Sequence, residues 1–190
     1  MYTLSLPRGA RCASLLFASA ALVGGSLSAP ALAATDGTLG ATSTGSVAIA
    51  ASVPNRARIS GLEDVDFTNQ NPATAASDAQ DVCVWSNTAT KAYTITATGS
   101  GAASAFTLSD GTTTVPYAVE WAASAGATSG TALSAGTASV SLTSTATNHN
   151  CASGPSATAS LVVEMSTADL SSMSAGTSYT GTLTLLVTPL

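Results

Sequence analysis

The residues of this chain best suited to chemistry are a single histidine and two widely spaced cysteines. His149 stands in an Asn-His-Asn run two positions before Cys151, and an imidazole beside a thiol is half of a zinc site or half of a nucleophilic pair. Neither half finds its complement. Acyl transfer needs a nucleophile, a base and an orienting group within hydrogen-bond reach, and the chain has no other histidine. Glu63, Asp64 and Asp66 form the one acidic cluster, with oxygen ligands at a spacing that could hold calcium weakly. The glycine and the terminal glutamate of a calcium loop are missing, so a solvated turn is the plainer use. No Gly-x-Ser-x-Gly elbow, phosphate-cradling loop or Cys-x-x-Cys occurs. Trp85, Trp121, Tyr93 and Tyr117 could line a sugar-binding face, but each lies in an alternating run, where packing is the commoner role. The sequence therefore reads as a non-enzyme with no catalytic residue, metal site or cofactor, and the elements that carry these residues become the informative part.

The chain opens with Arg8 and Arg11, an apolar run from Ala13 to Gly24, and small residues closing on Ala31-Leu32-Ala33. That order is a secretory signal peptide over residues 1–33, cleaved after Ala33; the run is shorter than the roughly 20 apolar residues a membrane span needs. Cys12 leaves with it. Cys83 and Cys151 then form an even pair in an oxidising compartment and are expected to be bridged, which should stabilise by roughly 4 kcal/mol through closure of a long loop. Processing leaves Arg56, Arg58 and Lys91 against ten acidic residues, a balance that argues against nucleic acid and anionic membranes as partners.

Ala, Ser, Thr and Gly dominate, which alone would suit a disordered stalk. The order of the apolar residues says otherwise. Period-two alternation recurs through Val47-Ile49-Ala51-Val53, Val82-Val84, Tyr93-Ile95-Ala97, Val115-Tyr117-Val119-Trp121, Val140-Leu142, Leu161-Val163-Met165 and Tyr179 to Val187. Turn signals such as Asp110-Gly111, Gly154-Pro155 and Ala175-Gly176 separate the runs. Short Thr- and Val-rich strands so punctuated predict an all-β antiparallel sandwich. Ser166–Met173 suits a single helical turn or a loop equally.

The two terminal runs need a joint explanation. The first alternating run ends at Val53-Pro54, and because proline has no N–H for a ladder this dipeptide reads as a hinge. Residues 34–53 are then an N-terminal extension and residues 54–190 the sandwich domain. The last run reaches almost to Leu190, which predicts a sheet edge with apolar alternation and nothing to cover it. Both features are accommodated if the arm of one subunit pairs with the open edge of the next, Val47, Ile49, Ala51 and Val53 being the inserted residues.

Val47–Val53 (VAIAASV) resembles the donor strand of the alternative chaperone–usher major subunits typified by colonization factor antigen I. Val115–Trp121 (VPYAVEW) is similar to that family's central strand, and Gly176–Leu190 (GTSYTGTLTLLVTPL) to its closing strand. The spore-coat-U-like secreted pilins share the layout more distantly. The resemblance implies an incomplete immunoglobulin-like sandwich of pilin type and export through the periplasm to a cell-surface fimbrium. Its implied partners are identical or related pilin subunits, a periplasmic chaperone, an outer-membrane usher and a host or surface receptor. Leu183, Leu185 and Val187 would face the chaperone's strand, with the Leu190 carboxylate as its anchor. Two features depart from that family's pattern: the Cys83–Cys151 pair, and about ten extra residues before the arm. The alternative reading is a secreted carbohydrate-binding β-sandwich, which should be monomeric and self-complete; a β-sandwich enzyme comes last.

Overall fold

The computed structural model describes residues 33–190, so the leader assigned to residues 1–33 lies outside the described residues apart from Ala33. The chain divides into two compact units, one ending at Ser52 and the other running from Val53 to Leu190. Within the first, the Thr35 and Ser46 backbones exchange two hydrogen bonds of 2.9 Å and close a small loop.

The second unit is all-β apart from one short helix and a single 3-10 turn. Its larger sheet contains β1 (Ala57–Ser60), β2 (Ala76–Ser86), β9 (Ala159–Met165), β6 (Ala118–Ala122) and β7 (Thr131–Ala132), in that spatial order. The smaller sheet has the order β10 (Leu183–Pro189), β3 (Ala92–Gly99), β8 (Leu142–Thr143), and β4 (Thr107–Ser109) pairs with β5 (Thr114–Pro116) as a hairpin. Every pairing is antiparallel. The fold is thus the antiparallel sandwich class expected from the alternation.

The core forms where the inward faces of both sheets meet. Val82 and Val84 of β2, Val119 and Trp121 of β6, and Leu161, Val163 and Met165 of β9 pack with Tyr93 and Ile95 of β3. Full burial of each such side chain stabilises by about 1.5–3 kcal/mol. Trp121 Nε1 donates to Tyr93 Oη at 3.3 Å, which satisfies two buried polar atoms and joins the sheets; burial pushes the Tyr93 hydroxyl pKa up, partly offset by this bond.

Local departures from the expected pattern have identifiable causes. The run Val115–Trp121 divides between two sheets at Pro116, which has no N–H to continue a ladder; Tyr117 N–H turns to Phe106 O at 3.0 Å, yet all four apolar positions stay buried. Val140 was expected to point inward with Leu142 and is instead 75% exposed. The reason lies one residue earlier, where Ser139 exchanges bonds with Ile95 through its backbone and Oγ and takes the place of a regular strand. Likewise Tyr179–Thr182 forms no regular strand: Thr180 makes an isolated bridge with Ser109, and Thr182 exchanges bonds with the Ser100 N–H and Oγ. Ser166–Met173 resolves as helix α1 (Thr167–Ser172), because Ser166 and Asp169 close a reciprocal capping box.

A strap crosses the outer face of the larger sheet. Gly126 N–H donates to Asp81 Oδ1 at 2.7 Å, Ala127 N–H to Ser160 Oγ at 3.1 Å and Gly130 N–H to Glu120 Oε2 at 2.8 Å. Val162, on the face of β9 opposite the core, is fully buried. The Ser160 hydroxyl and then the Gly126 amide hold the Asp81 carboxyl below the ordinary carboxylate range. A carboxyl whose pKa is lower folded than unfolded contributes stability above its unfolded value and loses it as pH falls through the folded one. Asp81→Asn is therefore expected to flatten the loss of stability below about pH 4, read from urea midpoints across an acid series. Parallel acid profiles for the variant and the parent would refute this role.

Candidate functional site

Two edges of the second unit leave core-facing side chains incompletely covered. β10 pairs with β3 over its whole length, from Leu183↔Gly99 to Pro189↔Tyr93, and is the outermost strand of its sheet. Its side chains alternate as a strand requires: Leu183, Leu185 and Val187 pack against the core but are only half-buried, while Thr184, Leu186 and Thr188 are exposed. Leu186 is 60% exposed.

β1 is the corresponding edge of the larger sheet. It pairs with the second half of β2, Ile59 opposite Val84 and Ser60 opposite Cys83, and Ile59 is likewise a half-buried residue on the core. β1 and β10 approach to within 8 Å, Cα to Cα, with no ladder between them. Beyond β1 the chain keeps to β2 through the Gln80 side-chain amide, which accepts from Glu63 N–H at 2.8 Å and donates to Glu63 O at 3.1 Å. Val65 and Phe67 then return to the core as half-buried residues. Along these two edges, which no ladder joins, Ile59, Leu183, Leu185 and Val187 are thus half-buried on the core.

The residues expected to act here fall into two groups. Leu183, Leu185 and Val187 lie on one face of β10; Leu190 follows, its N–H donating to Ala92 O at 3.0 Å and its side chain half exposed. Val47, Ile49, Ala51 and Val53 lie in a segment with no ladder partner among the described residues, and Ile49 is 91% exposed. That segment was expected to be a strand. An extended chain becomes one only when a neighbour accepts its N–H and C=O groups, so it is present here as exposed alternation without a sheet. Ile59, Val65 and Phe67 were missed in the sequence, since ARIS is too short a run to show a period and Val65 and Phe67 lie in an irregular segment.

The other candidates separate from these two edges. Cys83 and Cys151 are bridged, with Cα atoms 6.0 Å apart, and pack with Ala146 and Trp85 on the face of β2 away from the core. His149 is exposed and meets Trp85 edge-on at 6.1 Å, so the disulfide occupies the sulfur that a zinc site would use. Asp66 accepts the Thr68 N–H at 2.8 Å in a local turn, and among the described residues no three acidic, histidine or cysteine groups converge as a metal site. Tyr93, Tyr117 and Trp121 are buried, which leaves only Trp85 of the four aromatics for a sugar.

No family model matches the chain, and no curated protein matches it. A solved structure described as "Chaperone-tip adhesin complex is vital for synergistic activation of CFA/I fimbriae biogenesis" is similar at 15% identity and a TM-score of 0.48, covering 70% of this chain and 41% of that one. The chain therefore spans less than half the length of that neighbour.

Proposed function

We propose that this protein is a structural subunit of a surface fimbrium that polymerises by donor-strand complementation. The observation that carries the reading is a match within one chain. β10 offers seven residues of unpaired edge with Leu183, Leu185 and Val187 half-covered, and Val47–Val53 offers seven exposed residues with apolar side chains at alternate positions. A strand added to β10 supplies the missing ladder partner, and its alternate side chains complete the cover over Leu183, Leu185 and Val187. β1, only four residues long, is the piece that gives way to admit it.

On this reading a periplasmic chaperone covers the β10 edge first, using Leu183, Leu185 and Val187 and anchoring at the Leu190 carboxylate. An outer-membrane usher then exchanges it for the arm of the next subunit, and the fibre serves adhesion to a surface receptor or biofilm formation. The acidic balance, with Arg56, Arg58 and Lys91 the only bases after processing, fits an extracellular fibre and no nucleic-acid partner.

The test is to export the protein with a chaperone and usher and run the surface material on a denaturing gel without boiling. A ladder of multimers that collapses to monomer on boiling is the expected result. A single monomer band in both lanes would overturn the proposal in favour of a self-complete secreted module.

A further inference from the structure

Alternation alone does not define how the arm would seat. A one-residue slip turns every apolar side chain to the wrong face, but a two-residue slip restores the faces and moves each side chain one pocket along. With Ala51 among the four inward positions, the pockets discriminate poorly between such registers. Something outside the alternation must choose.

Resting on the donor-strand reading, we propose that the loop closed by Thr35 and Ser46 is a register stop that confines the inserted segment to Val47–Val53. The two residues exchange both backbone hydrogen bonds at 2.9 Å, as a hydrogen-bonded antiparallel pair does. Two glycines permit the closure. A Cβ on Gly37 would run into Ser43 Oγ and lie 3.0 Å from Thr44 N, and one on Gly45 would lie 3.0 Å from the Thr35 carbonyl.

The width of this loop is the decisive property. One strand added to a sheet edge occupies about 4.8 Å in the hydrogen-bonding direction. A closed pair of backbones needs a second such spacing on the side where β1 lies within 8 Å of β10, so that edge accepts the chain only from Val47 onward. At the opposite end Pro54 follows Val53 and offers no N–H to a ladder. Sliding in one direction therefore requires the loop to open, and sliding in the other puts proline into the ladder. The window left between the two stops has the length of β10.

The test uses the full chain, exported and assembled, with Ala50→Cys combined in turn with Thr184→Cys, Leu186→Cys or Thr188→Cys, the outward positions of the two strands. Oxidised fibres are boiled and run on non-reducing gels to count covalent multimers. With the loop intact, one of the three positions is expected to exceed the others about tenfold, the ratio set by a difference near 1.4 kcal/mol. Gly37→Val with Gly45→Val, or deletion of residues 36–45, is expected to level the yields across the three. If the altered arms keep the single preferred position, the stop is elsewhere and the inference fails. If no position yields covalent multimers in the intact arm, the donor-strand reading fails, and the register stop with it.

Discussion

Ile49→Asp is expected to abolish the multimer ladder while leaving the melting temperature of the isolated monomer unchanged. Ile49 is 91% exposed in the single chain, so the substitution removes little packing from it. On the donor-strand reading, the same position in a joined pair packs beside Leu183, Leu185 and Val187 over the half-buried margin of the core. A carboxylate there is buried without a cationic partner. That costs several kcal/mol, and about 3 kcal/mol already weakens a joint more than a hundredfold. Ile49→Val is the matched control, with an expected cost of about 0.5–1.5 kcal/mol and a shortened but visible ladder. Removing the arm through Val53 should act like Ile49→Asp and still leave a unit that binds a chaperone at β10. An Ile49→Asp protein that assembles normally would show that the arm is not the joint.

The second large effect concerns the disulfide. Cys83 and Cys151 are separated by 68 positions, and release of a loop of that size from its tether is expected to cost about 4 kcal/mol through the unfolded chain's regained entropy. Urea unfolding with and without reductant, followed through Trp121, measures it. A loss below about 1 kcal/mol would mean that the reduced chain keeps its loop in place by other contacts. The structure also indicates where loosening would spread. Thr158 Oγ1 accepts from Val84 N–H at 2.9 Å and donates to Val84 O at 3.0 Å, just past the end of the β2–β9 ladder. Cys83 pairs with Ser60 of β1 on the other side. Reduction should therefore raise amide exchange at Ile59 and Ser60 before it does so in β3, because the tethered loop and the β1 edge share the same stretch of β2.

Alternation was legible in the longer strands that place every second side chain in the core. Tyr93-Ile95-Ala97 and Leu161-Val163-Met165 fall in β3 and β9 with those residues buried. The cysteine pair was legible for a chemical reason, since outside the expected leader Cys83 and Cys151 are the two cysteines of the chain and have one way to pair. Less legible were features whose cause lies in another part of the chain. Val162 looks outward by its parity and is buried because Gly126 and Ala127 anchor a strap on Asp81 and Ser160. Val140 looks inward by the same parity and is exposed because Ser139 is engaged by Ile95.

For the candidate site, the sequence by itself determined which residues alternate, that Pro54 interrupts the arm, and that the last strand carries Leu183, Leu185 and Val187 on one face. Only the tertiary structure decided that β10 is an edge, that Ile59 lies across from it, and that Thr35 closes on Ser46. Periodicity is a local property of the backbone, recorded residue by residue. Whether a strand has one neighbour or two depends on loops and sheets assembled from distant segments, and no local pattern carries that information.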